Sequence, residues 1–155
     1  MASHSRHALH HLRELINRNP DRFTTDLYTR LFALDPDLRG LFGATLTHQR
    51  RAFFGVIDHV LEVIPAPTGQ DEIVDFLAQL GRDHRKFGVL PAHYPLMCTA
   101  LIGEFRALLD GYWDGDTEET VTQAMMLTTG VMRGAAEMAS GPPTWTAHHP
   151  PSAAS

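Results

Sequence analysis

At 155 residues and 43% hydrophobic content, the chain can build one domain with a real core and is too short for two. Thirteen Lys and Arg against eighteen Asp and Glu give a formal charge of -5, which argues against nucleic acid or anionic lipid as a partner. No stretch approaches the ~20 apolar residues of a membrane span.

Helix signals run almost the whole length. Ala8, Leu9, Leu12, Leu15 and Ile16 recur at spacings of three and four, predicting a helix over Ser5–Asn17, which Asn19-Pro20-Asp21 breaks. A second helix is expected over Asp21–Leu34, with Phe23, Leu27, Leu31 and Leu34 on one side and Tyr28 beside them. Asp35 before Pro36 reads as an N-cap with proline at the first helical position. A short third helix should therefore carry Leu38, Leu41 and Phe42 and end at Gly43. The next, Leu46–Val63, turns Phe53, Val56, Ile57, Val60 and Leu61 inward, has Gln49 one turn before Phe53, and stops at Pro65 and Pro67.

A helix over Asp71–Arg85 has an apolar face of Ile73, Val74, Leu77 and Leu80, and His84 extends that face. After a Phe87–Pro91 connection, a long helix is expected over Ala92–Trp113, burying Leu96, Met97, Leu101, Ile102, Phe105, Leu108 and Leu109. The last, Thr117–Ala139, has Val121, Met125, Val131 and Met132 in a less regular pattern, interrupted at Thr128, Thr129 and Gly130. Beyond Ser140 the sequence GPPTWTAHHPPSAAS reads as tail or linker. These readings give an all-α domain of six to seven helices over residues 1–139, with a spare end at 140–155.

The single cysteine, Cys98, lies in the apolar run PLMCTALI and reads as a small core residue in a reducing compartment. The N-terminal MASHSRHALHHLREL carries charge and histidine where a signal peptide needs an apolar run, so a cytoplasmic location is expected. No glycine-rich loop follows a strand, no cysteine pair or HExxH is present, and no serine sits in a nucleophile-elbow context. Of ten histidines, His7, His10 and His11 fall at i, i+3 and i+4 on the first helix, a spacing that could bind a transition metal but reads first as a solvated face near the terminus; His148 and His149 lie in the tail, and His48, His59 and His93 read as surface groups. His84 differs, because it closes an apolar helical face just before a Phe-Gly-Val turn and Pro91. On residue types alone it is either an iron ligand or a satisfied histidine at the edge of the core.

Taken together, LYTRLFALDPDLRGLF, QRRAFFGVI and LGRDHRKFGVLPAHYPLM resemble the globin domain of bacterial flavohaemoglobins and their single-domain relatives, over about Thr24 to Ala136. The resemblance implies a globin fold around one haem b. It makes His84 the proximal iron ligand, Phe42 the phenylalanine packed on the porphyrin, and Tyr28 the distal tyrosine that donates to a bound diatomic ligand. Gln49 becomes a second distal donor, Phe53 a wall of the distal pocket, and Tyr94 the proximal-side tyrosine. In the family that tyrosine joins a glutamate and the proximal imidazole in a network that raises imidazole basicity. The glutamate position here falls on Ala136, with Glu137 next to it, turned by about 100 degrees around the helix.

The family implies binding of oxygen, nitric oxide or carbon monoxide. It also implies nitric oxide detoxification where a reductase supplies electrons, and a haem-based gas sensor is a third reading. The sequence GPPTWTAHHPP looks like a junction into a flavin domain that this chain does not contain, so enzymatic turnover would call on an external reductase. Monomer and homodimer are both compatible with the sequence.

Overall fold

A computed structural model describes residues 2–42, 46–63 and 70–138, apart from the side chains of 2–5, 46–50 and 70. Among the described residues six α-helices follow one another: α1 (Ala2–Arg18), α2 (Pro20–Leu34), α3 (Leu46–Val63), α4 (Gln70–Lys86), α5 (His93–Leu109) and α6 (Gly115–Met138). Two 3₁₀ turns, Pro36–Leu41 and Asp110–Tyr112, complete the regular structure, and no strand occurs among the described residues. The all-helical expectation holds.

Caps set several of the boundaries. The break expected at Asn19-Pro20-Asp21 is one residue wide: the Asn19 side chain accepts from Arg22 N at 3.1 Å, and Pro20, which needs no donor at a first helical position, begins α2. Asp35 likewise caps the turn at Pro36, accepting from Asp37 N at 3.0 Å. That element is a 3₁₀ turn closing at Leu41, with Phe42 extended after it. Gly43, Pro65, Pro67, Ala139 and the tail lie outside the described residues. Asp114 caps α6 through Thr117 N at 2.8 Å.

The helix expected over Ala92–Trp113 is shorter than predicted. It stops at Leu109 because Asp110 adopts φ 44, a left-handed conformation that ends the hydrogen-bond ladder, and a 3₁₀ turn leads to Trp113. Aspartate and the glycine after it suit that reversal.

One core runs through the helices, from Leu12 and Ile16 on α1 to Phe105 on α5 and Val121 on α6. Phe23 and Phe105 stack at 6.1 Å where α2 meets α5. The most extensive pairing is α4 against α6. On α4 the core takes Ile73 and Leu77, one turn apart, while Val74 lies about 100° round the helix and is exposed, contrary to expectation. Leu34 is also exposed, and Cys98 is half-buried rather than fully enclosed.

Candidate functional site

The last turn of α4 presents His84. Its Nδ1 lies 2.8 Å from the Leu80 carbonyl oxygen, and a carbonyl only accepts, so Nδ1 carries the proton and Nε2 keeps a free lone pair. Burial holds the His84 pKa below its ordinary value, with the Leu80 hydrogen bond and the Asp83 charge opposing in part, so the neutral imidazole is favoured. The chain then turns: Val89 N donates to the His84 carbonyl at 3.0 Å, and Gly88 takes φ +95, which a side chain would strain. His93, read from sequence as a surface group, is half-buried and accepts from Leu90 N at 2.9 Å, tying the turn to the start of α5. One residue on, the Tyr94 ring stacks against His84 at 6.5 Å between centroids.

A second group gathers around Tyr28 on α2. Its ring is 3% exposed and its hydroxyl oxygen is buried. Phe42 lies 5.1 Å from it, Phe32 5.9 Å and Phe53 of α3 6.0 Å, so the structure brings together three of the residues singled out from sequence. Gln49 is in the first turn of α3, four residues before Phe53, with its side chain outside the described residues. The two groups approach each other at the chain level. Gly88, in the turn after His84, faces the Leu41 side chain, which directly precedes Phe42.

A matching domain model settles the family: the globin model matches residues 25–132. The chain belongs to the globin family. A flavohaemoprotein of Rhodopirellula baltica is 28% identical to this globin over 110 residues, covering 69% of the chain and 26% of that protein. The chain thus spans about a quarter of the relative it matches, and the similarity falls on a flavohaemoglobin-type globin domain.

Family membership implies a haem, and the donor set of this globin fits one. It offers a neutral imidazole whose Nε2 keeps its lone pair, anchored by a backbone carbonyl through Nδ1, together with apolar aromatic surface around Phe42. His7, His10 and His11 do not assemble a metal site: among the described residues no group of three or more His, Cys, Asp or Glu could hold a metal ion, and His10 and His11 face Glu14 instead.

Beside Tyr94, a cavity of about 540 Å³ is bordered by Arg85, Leu90, Arg133, Ala136 and Glu137 among others. Both candidates for the family's glutamate position, Ala136 and Glu137, border it. Burial pushes the Tyr94 pKa up, and the Arg133 charge partly opposes this. Sequence reading missed Arg133. Its only signal is a position one helical turn before Glu137, which acquires meaning once α6 is known to run past Tyr94. No helix of the described residues is long and apolar enough to cross a membrane.

Proposed function

We propose that this globin reversibly binds oxygen and other diatomic gases at a haem b anchored by His84. The observation carrying the reading is the His84 Nδ1 to Leu80 carbonyl contact of 2.8 Å, which fixes the tautomer and leaves Nε2 to meet iron. Haem, when bound, supplies the iron centre at which a gas binds. The protein's own contribution is positional. Phe42 offers an aromatic surface for the porphyrin, and Phe53 restricts the space on the gas side.

The Tyr28 hydroxyl, held in a buried aromatic setting, donates to a ligand that gains partial negative charge, with Gln49 as a second donor or as the group that orients Tyr28. Tyr94 stacks on the imidazole and limits its rotation. The unit is residues 1–139, working in the cytoplasm, with 140–155 as a linker-like end.

The test is optical. His84→Ala should lose the Soret band of the purified protein, and added imidazole should restore it. Full haem retention with unchanged ligation in His84→Ala overturns the assignment.

The similarity to a flavohaemoprotein favours a second reading, in which the chain is the haem-bearing part of a nitric oxide dioxygenase and draws electrons from a separate reductase. Nitrate formed on mixing the oxygenated protein with nitric oxide would be sustained only when cell extract is present. One turnover without extract and no stimulation by it favours gas binding alone.

A further inference from the structure

The cavity beside Tyr94 has a chemistry that the gas-binding reading does not use. At about 540 Å³ it lies within the ~300–1,000 Å³ span of small-molecule sites. Its apolar lining is Val89, Leu90 and Pro91 from the turn after α4, and Ala136 from α6. The same cavity is bordered by two cations, Arg85 and Arg133, by the Tyr94 phenol and by a single acid, Glu137.

Arg133 has no ion pair among the described residues, although Glu137 borders the same space. The Tyr94 side chain holds no hydrogen bond among them either, and a phenol keeps its proton at neutral pH, so the hydroxyl can donate. A planar guanidinium fork beside a neutral hydroxyl donor matches a planar monoanion. The apolar lining penalises a strongly hydrated ion such as phosphate and rewards a hydrocarbon body.

We propose that this cavity binds a small organic monocarboxylate, with its carboxylate between Arg133 and the Tyr94 hydroxyl and its apolar body on Val89, Leu90 and Pro91. Tyr94 lines the cavity and its ring stacks against His84 at 6.5 Å, so an occupant would touch the residue that packs on the imidazole. The proposal stands apart from the gas-binding reading, because occupancy is measured directly.

Isothermal titration of the haem-loaded chain with benzoate, hexanoate and inorganic phosphate tests it, the two organic probes distinguishing an aromatic from an aliphatic body. Saturable one-to-one binding of at least one of the two carboxylates is expected, with phosphate at least about tenfold weaker. Arg133→Ala should weaken carboxylate binding about tenfold or more, and Arg133→Lys should recover part of it. Arg133 is exposed, so these changes leave the core intact. Ala136→Glu would add a carboxylate of the protein's own to the cavity and should abolish binding of the added one. No saturable binding of either carboxylate below about 10 mM, equal or tighter binding of phosphate, or unchanged affinity in both Arg133→Ala and Ala136→Glu overturns the proposal.

Discussion

Replacing Tyr28 by phenylalanine removes a single oxygen from a ring that is 3% exposed and held between Phe42 and Phe53, so the aromatic packing should survive. What is lost is a donor to a partly charged ligand, worth about 1.5–3 kcal/mol. Stopped-flow oxygen dissociation should therefore be about 10- to 100-fold faster in Tyr28→Phe, with little change in thermal stability. An unchanged off-rate would mean the hydroxyl does not reach the ligand.

A second residue-scale test concerns Glu104, whose side chain is 5% exposed and accepts from Arg30 Nε at 2.7 Å. Removing the cation strands a buried carboxylate, whereas neutralising the carboxylate strands a half-exposed guanidinium that water can solvate. Arg30→Ala should thus cost about 2 kcal/mol in urea unfolding, against about 1 for Glu104→Gln. Equal losses would show that the carboxylate is solvated in the fold.

Among the helices, the tightest constraint is the approach of α4 to α6. A Cβ on Gly81 would fall against the Met132 carbonyl and 2.6 Å from Met132 Cα, and backbone cannot move aside as a flexible side chain would. Gly81→Ala gains helix propensity but must push the two helices apart, for a net loss of about 2–3 kcal/mol. Because His84 follows Gly81 by three residues on the same helix, haem affinity should fall with stability. Chemical denaturation and haem transfer to apomyoglobin would measure the two.

This close approach was not legible in the sequence, where Gly81 looks like any helical glycine. What the sequence carries well is periodicity: the span of α3 is read to the residue, and the faces of α1 and α2 nearly so, because one buried stripe repeats every three or four residues. It carries poorly whatever depends on a neighbour or on one dihedral angle. The end of α5 turns on the backbone of Asp110, and Val74 is apolar in sequence but lies outside the stripe of α4 that Ile73 and Leu77 bury. The candidate site divides the same way. His84 is marked by its place at the end of an apolar face, Tyr28 and Phe42 acquire meaning through the family resemblance, and Arg133 enters only through the tertiary approach of α6 to Tyr94.

At the scale of the whole molecule, α1 and α3 are joined by charge as well as by core. Asp58 on α3 accepts from Arg13 Nε and from Asn17 Nδ2, each at 3.1 Å, and Glu62 lies 3.5 Å from the same arginine. Partial burial acts to raise the Asp58 pKa, but the hydrogen bonds from Arg13 and Asn17, with the charges of Arg13 and His59, outweigh it and hold the carboxyl below its ordinary 3.8. The unfolded chain therefore binds a proton at Asp58 at a higher pH than the folded one. Between the two pKa values unfolding takes up a proton, so stability rises with pH there: the clamp contributes fully above about pH 5 and is lost as pH falls through 3.8 and below.

Asp58→Asn keeps the shape and removes the charge. Its urea midpoint should fall below wild type at pH 7, and the difference should shrink steadily on acidification below about pH 4. A gap of constant size down to pH 3 would mean that the clamp works through shape and neutral hydrogen bonds, with no part for the carboxylate charge.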